Sequence, residues 1–326
     1  MGNALGLDIG YSNVIAVFGS GDGHPESITR PSLAAPLSVL PGHSGLRAGE
    51  VIVEVDGAPS VALAAPRRVQ DGRELLEDYT SSHAYEALFK AALLHGAGDI
   101  DVIDCLVTGL PVSQPRDKGY VEALVQRMTG THRNTPKREV TDKRVELVAQ
   151  PIRTLTENYC NSDASEDIEE SVSISIDPGF ISVDWVVFDQ RELVVNSCSS
   201  TLKAMSVVLE ACYEEIANDH GGNPGVEQIE HALHSGKSYI LIYGRKVQLA
   251  EYLVRAAERD IPSVITENKQ GLRFLKARAI VCVILGGGRA SLYEPIARKE
   301  IPDALVVMPV NSVKSNAEGY WHNARS

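Results

Sequence analysis

Leu5-Gly6-Leu7-Asp8-Ile9-Gly10-Tyr11-Ser12-Asn13 and Ser175-Ile176-Asp177-Pro178-Gly179-Phe180-Ile181-Ser182 follow one plan: an apolar strand, an aspartate at its end, a glycine, then a small hydroxyl residue. Each is followed by a second strand-like run, Val14 to Phe18 and Val183 to Phe188, so both read as hairpins with a phosphate-sized turn. Glycine at 10 and 179 permits positive φ and lets backbone amides close on phosphate oxygens; Ser12, Asn13 and Ser182 can add hydrogen bonds, and Tyr11 and Phe180 complete the turns. Asp8 and Asp177 would repel a bare polyphosphate. They fit one that arrives with magnesium, held largely through waters that the carboxylates orient. A single Asp-x-Gly turn is commonplace, so the informative feature is its recurrence in matching strand contexts.

No helix pattern follows either turn. That excludes a mononucleotide P-loop and a dinucleotide fingerprint, both of which need a helix N-terminus at the phosphates. A third segment does run from strand to helix: Val281-Cys282-Val283-Ile284-Leu285-Gly286-Gly287-Gly288-Arg289-Ala290-Ser291-Leu292, continued by Tyr293 to Arg298. Bare backbone at Gly286, Gly287 and Gly288 lets a flat base or ribose lie close, and the helix start at Ala290 offers amides to an α-phosphate. A tight turn needed only for packing has the same residues.

The elements that must position these groups fall into two related halves. In the first, the Asp8 hairpin leads into a Gly/Pro-rich region from Gly19 to Pro66 with short strands such as Val51 to Val55, then a helix from Ser82 to His95 and a strand from Val102 to Thr108 ended by Gly109-Leu110-Pro111. A helix from Tyr120 to Thr129 and a strand from Arg144 to Ala149 close it. The acidic run Asn161 to Glu170 reads as a solvated loop. The second half repeats the plan with the Asp177 hairpin, a strand from Glu192 to Cys198 and a long helix from about Leu202 to Asn218, whose Met205, Val208, Leu209 and Cys212 read as core. Glu227 to Leu233, Lys246 to Asp260 and Glu267 to Lys276 suggest a helical peripheral subdomain, followed by the apolar strand Ala279 to Leu285. Glu230, His231 and His234 lie a helical turn apart, but no third ligand is visible. A solvated helix face is expected there, and no metal besides magnesium.

At 326 residues the chain is longer than one core serves, and two domains of about 150 residues are the natural division. A formal net charge of −12 with scattered Lys and Arg argues against direct nucleic-acid binding, so a link to DNA would run through a partner. Five cysteines without a Cys-x-x-Cys pair point to reduced thiols in a cytoplasm, with Cys105 and Cys282 in apolar strands as core. No basic apolar leader opens the chain, and the run from Ala279 to Leu285 is too short to span a membrane.

Asp8 to Asn13, Val107-Thr108-Gly109-Leu110-Pro111, Ile176 to Gly179, Leu285 to Gly288 and Asn316-Ala317-Glu318-Gly319-Tyr320 stand in the order phosphate 1, connect 1, phosphate 2, adenosine, connect 2. In that order the chain resembles the actin, heat-shock chaperone and sugar kinase ATPases. Its length, compact second half and closing Asn-Ala-x-Gly-aromatic segment look like the plasmid-segregation actins of the ParM/StbA type, closest to the PRTRC-system protein D branch. The resemblance implies an α/β, two-domain actin-like ATPase fold: duplicated ribonuclease H-like domains with a nucleotide cleft between them. Domain I would span 1–150, with a peripheral subdomain at about 20–75. Domain II would span 151–310, with one at about 220–278, and 311–326 would return to domain I.

Carried over, Asp8 and Asp177 become the magnesium and catalytic carboxylates, and Gly10, Tyr11, Ser12, Asn13, Gly179, Phe180 and Ser182 the phosphate contacts. Gly286, Gly287, Gly288 and Ala290 hold the adenosine of ATP, or of GTP in its place. Gln150 matches the position that orients the attacking water, where a neutral amide can place water without accepting its proton, so hydrolysis is slow. Pro178, Phe180 and Ile181 depart from the family's glycine pair and hydroxyls, Asp184 takes a minor structural role, and Glu318 replaces a frequent arginine. The implied function is nucleotide-dependent polymerisation for plasmid or mobile-element maintenance, with itself and a DNA-linking adaptor as partners. A non-polymerising nucleotide-dependent scaffold is one alternative. A small-molecule kinase such as a type III pantothenate kinase is another, although no acidic base for an acceptor hydroxyl is visible.

Overall fold

The structure, a computed structural model, describes residues 2–20, 23–40, 45–65, 78–111, 117–149, 171–190, 192–222, 224–271, 279–309 and 311–325. Gln150, Cys160 and the acidic run 161–170 lie outside the described residues. The chain divides into two compact units, Met1–Gln150 with Asn316–Ser326, and Pro151–Ser315.

The first unit opens with β1 (Asn3–Ile9), β2 (Asn13–Ser20) and β3 (Glu26–Pro31), then β4 (Leu33–Pro36), β5 (Val51–Val55) and β6 (Ala58–Ala64). Helix α1 (His83–Gly96) precedes β7 (Val102–Ile103) and β8 (Cys105–Leu110). Helix α2 (Lys118–Met128) precedes β9 (Gly130–Thr135), β10 (Arg138–Asp142) and β11 (Val145–Ala149). The main sheet has the order β11-β8-β1-β2-β3, with β1, β8 and β11 parallel and β1, β2 and β3 antiparallel. Local chemistry sets the helix starts: the Ser82 hydroxyl accepts from the Tyr85 amide at 3.1 Å, and Asp117 Oδ1 accepts from the Tyr120 amide at 3.1 Å.

The second unit starts with the hairpin of β12 (Val172–Pro178) and β13 (Val183–Asp189), followed by β14 (Glu192–Leu193), β15 (Ser199–Thr201), α3 (Met205–His220) and α4 (Val226–His234). Then come the hairpin of β16 (Tyr239–Ile242) and β17 (Arg245–Gln248), α5 (Ala250–Gly271), β18 (Ile280–Leu285), α6 (Ala290–Glu300) and β19 (Leu305–Val307). Its sheet runs β14-β13-β12-β18-β19 with β15 on β13, and β12, β18 and β19 are parallel. The two main sheets are one design used twice. In each, a hairpin ends in an aspartate and glycine turn, parallel strands flank its first strand, and antiparallel partners flank its second.

Helix α7 (Ser315–Ala324) carries the chain back onto the first unit, where Ala317, Tyr320, Trp321 and Ala324 pack with Ala4, Ile15, Val17, Cys105 and Val107. Gly6 permits this. A Cβ there would overlap the Ala317 carbonyl oxygen and the Trp321 amide nitrogen.

Several sequence expectations are corrected here. The strand expected over Glu192 to Cys198 is instead β14 and a 3-10 turn at Val195–Ser197, with β15 following beyond it. The long helix starts at Met205 rather than Leu202, because its first amides bond to turn carbonyls, Met205 N to Gly179 O at 3.3 Å and Ser206 N to Phe180 O at 2.9 Å. Lys246 lies in a strand, and α5 continues through Pro262 instead of stopping before it. Met205, Val208, Leu209 and Cys212 are core as expected, as are Cys105 and Cys282. Among the described residues no helix is long and apolar enough to cross a membrane.

One buried group in the first unit makes stability depend on pH. Neither carboxylate oxygen of Asp142 has a hydrogen-bond partner, and His132 Nε2, which donates to the Met128 carbonyl at 2.8 Å, lies 3.7 Å from it. Burial pushes the Asp142 pKa up to about 8, so the native carboxyl keeps its proton at neutral pH. The folded pKa lies above the unfolded one, so the native state binds more protons between pH 4 and 8, and stability falls as pH rises through that window. Asp142→Asn is expected to remove a slope of about 1 kcal/mol per pH unit from urea unfolding measured at acidic, neutral and mildly alkaline pH. Parallel curves for the two proteins would contradict this.

Candidate functional site

In the first unit, Asp8 sits near the end of β1 opposite Ile15 of β2. Burial of the carboxyl pushes its pKa up to about 6, opposed by a side-chain hydrogen bond from Asn316 at the start of α7. The turn closes through Gly10 N donating to Asn13 O at 2.9 Å. Ser32 grips it from outside: its amide donates to Ser12 O at 3.0 Å and its hydroxyl to Gly10 O at 2.5 Å. Because the peptide group is planar and trans, carbonyls aimed at Ser32 turn the amides of Tyr11 and Asn13 the other way. Tyr11 stacks on Tyr79 with ring centroids 4.1 Å apart, and the Tyr79 hydroxyl lies 3.2 Å from Ser32 Oγ.

The second unit repeats the arrangement. Gly179 N donates to Ser182 O at 2.9 Å, and the turn is gripped by the α3 amides bonded to Gly179 O and Phe180 O. The same planarity aims the Phe180 and Ile181 amides away from α3. Asp177 stands directly across the hairpin from Asp184, and both are buried. Two carboxylates in register repel one another, and a proton or cation relieves that repulsion. The site chemistry therefore suits magnesium, with Asp177 as the carboxylate at the turn. Asp184 accepts the Ser182 hydroxyl at 2.7 Å, a structural contact that occupies a donor expected to face phosphate.

Gly10 and Gly179 are absent from the positive-φ residues, which corrects the reason for glycine at these turns. The constraint is steric: a Cβ on Gly179 would lie 2.7 Å from Ser182 O, and one on Gly10 3.3 Å from Asn13 O. Positive φ belongs to Gly287, at 74°. A Cβ on Gly287 would overlap Asp177 Oδ1 and lie 3.3 Å from Asp177 Cγ, so the glycine run and the second turn meet through bare backbone. Gly286 N donates to Ile176 O at 2.9 Å, Gly288 faces open space, and Ala290 is the buried first residue of α6.

Glu230 is buried, which overturns the solvated face expected there, while His231 and His234 are half-buried. Glu230 lies 3.9 Å from His234 Nδ1 and interacts electrostatically with Arg289, whose pKa is lowered by burial and supported by the Glu230 charge. Among the described residues no group of three or more His, Cys, Asp or Glu could hold a metal. Sequence reasoning missed Ser32, Tyr79, the burial of Glu230 near the Arg289 charge and the direct tie from Asn316 to Asp8. Only Asn316 carried a signal, through its place in the closing motif.

Two family models match: "Actin like proteins N terminal domain" over residues 6–152, and "Archaeal actin homologue MreB-like, C-terminal" over residues 175–297. None of the curated proteins matches significantly. Among solved structures, the chain is similar to Ta0583, an archaeal actin homolog, with a TM-score of 0.76 at 20% identity, covering 99% of both chains. The complex of that homolog with ADP gives 0.74 at 19% identity, again over 99% of both chains. A 15-stranded ParM filament from Clostridium botulinum gives 0.76 at 17% identity with the same coverage. Each half of the chain is thus similar to an actin-like family, and the fold shared with these structures over the whole length is the two-domain actin-like fold.

Proposed function

We propose that this protein binds ATP with magnesium and polymerises into filaments that serve plasmid or mobile-element maintenance in the cytoplasm. The observation that carries the reading is the pair of matched turns. Each has its carbonyls held from outside and its following amides turned away from that grip, and each lies beside an aspartate at a strand end. Tyr11, Asn13, Phe180 and Ile181 supply amides to phosphate oxygens. Asp8 and Asp177 orient the waters of magnesium, which would neutralise phosphate charge when bound. Gly286, Gly287 and Gly288 accept the nucleoside. The archaeal homolog solved with ADP supports nucleotide binding, and the clostridial ParM solved as a filament supports self-association.

Hydrolysis is slow on this reading. Ser182 is engaged by Asp184, Pro178 has no amide to donate, and Gln150 is the proposed water-orienting residue. The net charge of −12 makes the chain a poor ligand for DNA, so an adaptor protein carries the cargo. The likeness to the PRTRC-system protein D branch rests on the short length, the compact second half and the closing Asn316–Tyr320 segment.

Sedimentation and thermal melting in Mg-ATP, Mg-ADP and ATP with chelator test the proposal. Pelleting is expected in Mg-ATP, together with a stabilisation of about 2.7 kcal/mol at a hundredfold excess of nucleotide over Kd. A melting temperature shifted no more by Mg-ATP than by magnesium alone would remove the nucleotide site. A full thermal shift without pelleting would favour the scaffold.

A further inference from the structure

The hairpin of β16 and β17 belongs to no larger sheet among the described residues. Ile240, Ile242 and Val247 pack into the core of the second unit, while Leu241 is 52% exposed with Lys246 as its cross-strand partner. The Lys246 ammonium lies 4.5 Å from the Tyr239 ring centroid. At the tip, Tyr243 and Gly244 form a two-residue turn, both at positive φ, 47° and 77°.

A two-residue turn with both φ positive favours Asn-Gly and penalises a bulky first residue. Tyr243 nevertheless occupies that position and is 81% exposed. A Cβ added to Gly222 would lie 3.3 Å from its ring, so the aromatic is steadied against the glycine pair that ends α3. Nothing in the turn explains a tyrosine held in strained backbone at an exposed tip, whereas a rigid aromatic anchor for binding does. The surroundings set the charge of what it meets. From Ser235 to Gln248 the chain carries Lys237, Arg245 and Lys246 and no acid, although its net charge is −12.

We propose that this tip, with Tyr243 as anchor, Leu241 beside it and Lys237, Arg245 and Lys246 as a cationic rim, docks on an acidic face of a second copy of the chain. The proposal rests on the self-association reading above. A basic patch cannot pair with itself, so the contact is heterologous, and heterologous contacts that do not close repeat head to tail into open polymers.

Tyr243→Asn tests it cleanly, because asparagine is what the turn prefers and the variant should melt at or above the wild-type temperature. Its critical concentration for pelleting in Mg-ATP is expected to rise tenfold or more, with nucleotide-induced thermal shift unchanged. Arg245→Glu with Lys246→Glu should act in the same direction, and raising salt should weaken wild-type assembly. If Tyr243→Asn pellets like wild type, the hairpin assignment fails while self-assembly stands. If wild type stays monomeric in every nucleotide state, both fail. If wild type binds duplex DNA, the charge-reversed protein does not, and assembly is equal in both, the hairpin belongs to nucleic acid and the proposal is overturned.

Discussion

Gly6→Ala is expected to destabilise the first unit by about 3 kcal/mol or more, at the severe end for a single added methyl group. The new Cβ would overlap the Ala317 carbonyl oxygen and the Trp321 amide and lie 2.9 Å from Trp321 Cα. All three are backbone atoms, so no rotamer change relieves them. Helix α7 must lift from β1, uncovering Tyr320 and Trp321, both fully buried, and loosening Asn316 from Asp8. Urea unfolding followed by tryptophan fluorescence measures the loss, with Gly288→Ala as control because a Cβ there meets nothing within 4 Å. A midpoint matching wild type would mean that α7 does not press on β1 as described.

Asp177→Asn is expected to lower steady-state phosphate release by 10²-fold or more while leaving nucleotide binding nearly intact. Phosphoryl transfer depends on positioned charge, and an amide cannot replace a carboxylate that orients the waters of magnesium. The backbone cradle does not depend on that charge. Misfolding is an unpromising explanation for such a loss, because the substitution removes one of two buried carboxylates facing each other across the hairpin, and the melting temperature should hold or rise. If the polymer forms, it should persist in ATP instead of disassembling. Phosphate release within twofold of wild type would take Asp177 out of catalysis.

The two hairpins and the glycine-rich strand end were legible because their signals are local: aspartate, glycine and hydroxyl residues within a few positions, between apolar runs. The residues that grip the first turn were not. Ser32 reaches Gly10 across 22 residues and Tyr79 reaches Ser32 across 47, and neither position has a periodicity or spacing that marks it. The β16–β17 hairpin was hidden by its turn, since Tyr-Gly is not a usual two-residue loop and Lys246 onward merges with the helical period of α5. The expected helices Lys246 to Asp260 and Glu267 to Lys276 left a gap around Pro262, but a single 22-residue helix, Ala250–Gly271, runs through it. Glu230 looked solvated because charge alone predicts exposure; its burial within the field of Arg289 is visible only in three dimensions.

The seating of α7 on Gly6 also sets an order of events on the ribosome. The opening strand is made first, yet the residues that cover its outer face, Ala317, Tyr320 and Trp321, follow about three hundred positions later, at least ~15 s of synthesis. Until then Ala4, Ile15, Val17, Cys105 and Val107 present an uncovered apolar face, while the second unit has all of its strands in hand. The unit encoded first is thus the last that can finish, and a nascent chain halted before residue 315 would leave that face as a target for chaperones or for aggregation rather than yield a stable half-protein.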